Sequence, residues 1–299
     1  MSQVSRYSKY DPAMTADGLF MPRANIKKRV DIKRKYDQGT VRFLGPQLGV
    51  LHQSVLLAIC ARIGMEGGHV RPAEAKDDKK AVVELLDASD VAEDLRAEAK
   101  DDKKAVVELP GAYDGAKDQH VGLLETSTYA LMLDAGMSTG GKQYERLIEC
   151  LTELAAMTIY RSVKGKGGIS RVISFSHIGD QLTISVNWRL TAAIFGAQNV
   201  QISLKERNQL GSSAAKILHT FLCAHTRLGT SFMAGQPVKI NTLKKHIFGE
   251  PDRQQSRSAV YKQKKQLTAA LEEVSQLDGW VIESVGNDLV RITRPKLLP

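Results

Sequence analysis

Cysteine is scarce in this chain. Cys60, Cys150 and Cys223 are the three in 299 residues, and no two stand at C-x-x-C spacing, which excludes a zinc ribbon or a dithiol redox centre of that pattern. Each lies among apolar residues, the setting of a reduced thiol in a core. Long apolar runs are missing too. Stretches such as VLLAIC at 55–60 fall far short of the roughly 20 residues that span a bilayer. The first residues carry no apolar signal core, so the sequence predicts a soluble cytoplasmic protein with no membrane partner. The seven histidines, at 52, 69, 120, 177, 219, 225 and 246, form neither H-x-x-x-H nor H-E-x-x-H. No Ser, His and Asp arrangement, pair of flanking acids or Tyr-centred nicking motif is visible. The expectation is a protein that binds rather than catalyses, without metal or cofactor.

Acidic residues are also in short supply: 33 Asp and Glu against 42 Lys and Arg give a net charge of +9 and a pI near 9.4. That balance favours a polyanionic partner, nucleic acid ahead of an acidic membrane surface. Between 73 and 118 stand 14 acidic and 8 basic residues, a net of −6 that leaves +15 on the rest of the chain. Within this stretch AEAKDDKKAVVEL occurs at 73–85 and again at 97–109. A solenoid stacks about three or more units, so two near-identical copies indicate an in-frame duplication. One copy is expected to belong to the fold and the other to be a surface excursion pointing away from DNA. At the start of the chain, Pro12, Gly18 and Pro22 interrupt regular structure, and the densely basic run at 25–39 is expected as an arm, either solvated or laid along nucleic acid.

From Thr40 onward the periodicities become readable. TVRFLG alternates as a strand, and Leu48, Leu51, Val55, Ile59 and Ile63 share one helical face. VGLLETS is a strand, and Ser127 or Thr128 caps a short helix through Leu133. A turn at 136–141 precedes an amphipathic helix marked by Tyr144, Leu147, Ile148, Leu151 and Leu154. MTIYRS, SRVISFSH and QLTISVN follow as strands, the first two joined by the basic loop VKGKGG. This order is that of a winged helix, and it returns further on. Ser203 and Glu206 form a capping box; Ala214, Ile217, Leu218, Phe221 and Leu222 give an apolar helix. PVKI is a strand, Asn241 caps TLKKHIF, Gly249 ends it, and VIESV and LVRIT flank the hairpin turn GND. The fold class expected is therefore α+β: two tandem winged-helix domains with an acidic duplicated insertion in the first. The arm spans 1–40, the first domain 41–196 with its insertion at 73–120, and the second domain 197–299.

The last long helix, from about Ser256 to Leu277, is the best recognition candidate. Val260, Leu267, Leu271 and Val274 form a narrow stripe, while Tyr261, Lys262 and Lys265 lie opposite. Arg257, Lys262, Lys264 and Lys265 crowd its first half, and no acid occurs from Arg253 until Glu272. Helix-turn-helix proteins read base edges with the N-terminal part of such a helix. Lys and Arg there neutralise phosphates or read guanine, and Gln254 or Gln263 has the chemistry to read adenine.

GMSTGGKQ at 136–143 has the G-x-x-x-x-G-K spacing of a phosphate-binding loop but carries Gln143 where the magnesium-holding Ser or Thr belongs. In the winged-helix reading Gly136 ends one helix, Ser138 or Thr139 caps the next, and Lys142 and Gln143 enter a first turn whose free N–H groups favour a DNA phosphate. An ATPase reading requires a strand before Gly136 and a later acidic Walker B position, and neither is visible.

DPAMTADGLF, SLKERNQLGSSAAKILHTFLCAH, the basic helix and LDGWVIESVGNDLVRITRP together resemble RepC, the iteron-binding replication initiator of IncQ-type plasmids. The likeness runs from about Asp11 to Pro295 and is densest after Val200. It implies a bacterial protein of two winged-helix domains that binds direct repeats at a plasmid origin. Such a protein opens the origin for a plasmid-encoded helicase and primase, and can form a homodimer through its first domain. On the matching positions the resemblance places DNA contacts at Lys142, Gln143, Arg146, Lys164, Lys166 and Arg171 in the first domain. In the second it places them around the basic helix, from Arg253, Gln254 and Ser256 through Arg257, Tyr261, Lys262, Lys264 and Lys265, with Arg291 on the hairpin. Two tandem reading heads span about two helical turns of DNA. The rival binding function is a dimeric winged-helix transcriptional repressor acting at a promoter palindrome.

Overall fold

The computed structural model describes residues 7–23, 25, 27–36, 39–65, 70–72, 120–163, 166–196, 199–250, 256–286 and 288–296. The acidic duplication lies outside them. The chain opens with β1 (Tyr7–Tyr10), a 3-10 turn (Pro12–Thr15), β2 (Phe20–Met21), β3 (Arg29–Tyr36), β4 (Gly39–Pro46), β5 (Leu48–Gly49) and α1 (Val50–Met65). Then follow β6 (Val70–Pro72), β7 (His120–Ser127), α2 (Thr128–Asp134), α3 (Gly141–Ala156), β8 (Thr158–Val163), β9 (Lys166–Arg171), β10 (Ile173–Ile178), β11 (Gln181–Val186) and α4 (Trp188–Phe195). The last part holds β12 (Val200–Ser203), α5 (Leu204–Gln209), α6 (Ser213–His225), β13 (Val238–Lys239), α7 (Ile240–Phe248), α8 (Arg257–Ser275), β14 (Val281–Ser284) and β15 (Leu289–Thr293). The architecture is mixed α+β, with several small sheets around one continuous buried apolar cluster that extends from Tyr10 to Ile292.

Two parts of the chain repeat one plan: helix, strand, two helices, hairpin. In the first, α1, β7, α2, α3 and the β10–β11 hairpin form a sheet in which β11 lies between β10 and β7. In the second, α6, β13, α7, α8 and the β14–β15 hairpin place β15 between β14 and β13. The correspondence reaches single hydrogen bonds. Thr128, the first residue of α2, donates its N–H to the Asp180 carbonyl just before β11 (2.9 Å); Ile240, the first residue of α7, donates to the Asp288 carbonyl just before β15 (2.9 Å). In each unit the hairpin turn thus satisfies one of the otherwise unpaired N–H groups at a helix start.

The structure corrects several local expectations. The basic run at 25–39 is not an arm: residues 29–36 are strand β3, paired antiparallel with β4 along its whole length. Alternation decides this, because Val30 and Ile32 pack on the core while Arg29, Lys33 and Lys35 face solvent. SRVISFSH is two strands in two sheets, separated at Val172, which is fully buried and hydrogen-bonded to Met157 and Asn187. The hairpin with the VKGKGG loop, β8–β9, therefore belongs to a four-stranded sheet ordered β3-β4-β8-β9, outside the repeated plan. Helix α1 has no exposed stripe: every residue from His52 to Ile63 is buried, including the polar His52, Gln53, Ser54 and Arg62, as for a central helix packed on all sides. Asn241 lies inside α7, whose cap is Lys239 without a side-chain bond. The capping box at Ser203 is half made. Its Oγ accepts from the Glu206 N–H, but the Glu206 carboxylate turns inward to His219 and Trp280.

Polar contacts join the two units. Arg207 on α5 is fully buried and donates to Gln53 Oε1 (2.9 Å) and Ser54 Oγ (2.6 Å) on α1 and to Thr220 Oγ1 (3.2 Å) on α6. Arg189 on α4 forms a buried pair with Asp11 (2.8 Å), and β1 pairs with β12 across most of the chain length.

Candidate nucleic-acid interface

Helix α8 is anchored at its back and free at its front. Leu267, Ala270, Leu271 and Val274 are buried, and Glu273 Oε2 accepts the N–H groups of Gly211 and Ser212, 2.9 Å each, at the start of α6. Ahead of Leu267 no residue is buried: Ala259, Gln263 and Lys264 are half-buried, while Arg257, Tyr261, Lys262 and Lys265 are exposed, Tyr261 to 72%. Val260, expected in the apolar stripe, is 36% exposed, so the core stripe begins at Leu267. The ten residues before Leu267, roughly 15 Å of helix at 1.5 Å per residue, keep one side against the protein at Ala259, Gln263 and Lys264 and turn the other to solvent. The start is fixed by Ser256, whose Oγ accepts from the Ala259 N–H (3.2 Å). That leaves the remaining first-turn N–H groups facing the same solvent as Arg257, a combination that favours an anion.

The basic residues do not share one fate. Lys264 is paired with Asp288 (2.8 Å) at the turn of the β14–β15 hairpin, and Arg291 donates to the Gly235 carbonyl (3.0 Å) and approaches Glu283 (3.4 Å). Both ions are engaged within the second unit. Arg257, Lys262 and Lys265 carry the outward charge, with no acid in α8 ahead of Leu267. Arg253 and Gln254 lie outside the described residues.

In the first unit α3 occupies the place that α8 holds in the second. Its exposed face carries Lys142 and Arg146 but also Glu145 and Glu149 at the intervening helical positions, so its field toward a polyanion is far weaker. Gln143 and Arg146 line a cleft of about 250 Å³ shared with Ser54, Ser138, Ser213 and Lys216. Lys216 is a cation that sequence spacing did not single out. Burial, then the neighbouring Arg207 charge, lowers the proton affinity of Lys216. Sites for drug-sized ligands run from roughly 300 to 1,000 Å³, so the cleft is small for a nucleotide. Helix α2 rather than a strand precedes Gly136, against the geometry of an ATP-binding loop. Gly136 ends that helix at φ +68°, while the cap of α3 is Gly140 without a side-chain bond, not Ser138 or Thr139. Arg171 lies on β9, in the four-stranded sheet and not in the hairpin of the repeated plan. Lys164 and the side chain of Lys166 lie outside the described residues. Cys60, Cys150 and Cys223 are buried and unpaired, and burial pushes the Cys60 and Cys150 thiols well up. No described helix is long and apolar enough to cross a membrane.

Comparison with known proteins gives the class. Residues 94–296 match the replication protein C (RepC) family, more than half of the chain, and the protein therefore belongs to that family of replication initiators, which act on DNA. No curated protein matches the sequence. Among solved structures, the crystal structure of domain 2 and domain 3 of RctB is similar over 95% of this chain and 98% of that one, at 8% identity and a TM-score of 0.49.

Proposed function

We propose that this protein is a sequence-specific double-stranded DNA-binding protein that recognises direct repeats, iterons, at a plasmid origin in a bacterial cell. It reads them through two tandem winged-helix units, at 41–196 and 197–299, and opens the origin for a plasmid-encoded helicase and primase, without catalysis of its own. The single observation that carries the reading is the front of α8: an exposed face with Arg257, Lys262 and Lys265, no acid, and an apolar anchorage behind it. A major groove about 12 Å wide admits such a helix. The repeated plan, with matching sheet order and matching Thr128–Asp180 and Ile240–Asp288 bonds, supports two reading units on one chain. Membership of the replication protein C family supports an origin over a promoter. Footprinting the protein on its own plasmid tests the proposal. Protection of successive direct repeats is the expected result, and protection confined to a promoter palindrome would sink it in favour of a repressor.

A further inference from the structure

The β3-β4-β8-β9 sheet belongs to neither copy of the repeated plan, and its two faces differ sharply in chemistry. Val41, Phe43 and Ile159 on the inner face are buried in the core, with Ile32 packed against them. The period-2 alternation of a strand puts Arg29, Asp31, Lys33 and Lys35 on the outer face, all exposed. Register carries that face across the sheet: Lys33 stands opposite Arg42, Arg42 opposite Tyr160, Tyr160 opposite Ile169, and Thr158 opposite Arg171. The face carries five cations against one described acid, Asp31; Arg42, its side chain only 11% exposed, is tied to that acid through bonds of 2.6 and 2.7 Å, so Arg29, Lys33 and Lys35 carry the outward charge.

Folding alone does not ask for this. Like charges directly opposite one another on a sheet are destabilising, yet Lys33 faces Arg42 and Lys35 continues the row. Lysines on an edge strand do discourage pairing with other sheets, but alternating Glu and Lys would serve as well. The position of β3 supplies the second argument. It is an edge strand whose inner face borders the second unit, since a Cβ on Gly18 would lie 4.0 Å from Ile32 and 3.8 Å from Gly249, the residue that ends α7, and this leaves the outer face uncovered at Arg29, Lys33 and Lys35.

We propose that this outer face is a second DNA-contacting surface, one that holds the phosphate backbone of the duplex. It rests on the function proposed above and adds to it a sequence-independent grip. Lys33 and Lys35, two residues apart on one face and so about 6.8 Å apart along the strand, form with Arg29 a ladder of cations beside the backbone. Tyr160, at the centre of the face, offers a hydroxyl to sugar or phosphate oxygen.

The test titrates the full chain with two duplexes, one carrying its origin repeats and one scrambled, at several salt concentrations. The double variant Lys33→Gln, Lys35→Gln removes two outward charges and leaves the core untouched. Its plot of log affinity against log salt should be flatter by roughly 0.9 for every phosphate that is no longer neutralised, equally on both duplexes, and Lys33→Arg, Lys35→Arg should restore the slope. An unchanged slope in the Gln variant, with wild type binding normally, overturns the sheet proposal and leaves repeat recognition intact. Wild type that binds both duplexes equally overturns repeat recognition, while the slope difference between wild type and the Gln variant still decides the sheet.

Discussion

Lys264, in the front half of α8, is held by Asp288 at the turn of the following hairpin, with Nζ 2.8 Å from Oδ1. The pair joins the last long helix to the hairpin that follows it, and it takes one cation out of the row that sequence spacing assigns to the interface. Its ends are about half exposed, so its own contribution to stability is under about 1 kcal/mol. Its effect is on the field.

Unequal responses along α8 follow. Lys262→Ala and Lys265→Ala should each weaken binding to duplex DNA carrying the proposed repeats and flatten the salt dependence by roughly one neutralised phosphate. Lys264→Ala should change the slope by less than half as much, and Asp288→Asn, which releases Lys264, should steepen it. Fluorescence titrations at salt concentrations from about 50 to 200 mM, where several phosphate contacts change affinity strongly, separate these outcomes; equal losses at all three lysines would refute the assignment.

His219 supplies a dependence on pH. The ring is fully buried, which pushes it toward neutrality, but Cys223 and the Glu206 carboxylate at 2.9 Å hold its pKa up at about 9. A pKa raised in the folded state stabilises fully below the unfolded value near 6.5, and that stabilisation is lost as pH rises through about 9. Wild-type stability against urea should therefore fall between about pH 6.5 and 9, and His219→Gln should flatten the fall while lowering stability at about pH 6.

The 136–143 turn makes opposite predictions at two glycines. Gly136 holds φ +68°, and a Cβ there would lie 2.8 Å from Asn208 Oδ1. Gly136→Ala should cost about 1 kcal/mol or more. Gly140 caps α3 in extended conformation, and nothing lies within 4 Å of an added Cβ. Gly140→Ser should stabilise by a few tenths of a kcal/mol, because its hydroxyl can accept a first-turn N–H. Urea midpoints at neutral pH measure both.

Much of the local structure is legible in the residues. Ser127 and Ser203 cap where their spacing to the next apolar run says they should, and Gly136 and Gly249 end helices at positive φ. Neighbourhood is not legible. Alternation at 29–35 states which side chains face inward, but not that β4 and β8 lie beside them, and so a strand reads as a basic arm. Val172 looks like one more residue of a single strand until its burial splits SRVISFSH between two sheets. On α3, Glu145 and Glu149 are plain in the sequence, yet only the exposed face shows them interleaved with Lys142 and Arg146.

The sequence by itself determined the basic balance, the caps at Ser127 and Ser203, the order of helices and strands in both rounds, the hairpin of the second round, and the acid-free front of α8, because each depends on residues within a few positions of one another. Tertiary structure alone decided which cations meet solvent and which are held by acids, that the β8–β9 hairpin joins β3–β4 rather than the repeated plan, and that Arg207 ties both units together from the core. Those outcomes depend on partners far apart in the chain, such as Arg207 with Gln53 and Tyr10 with Val200, and the free energy of such contacts is fixed only when the whole core closes.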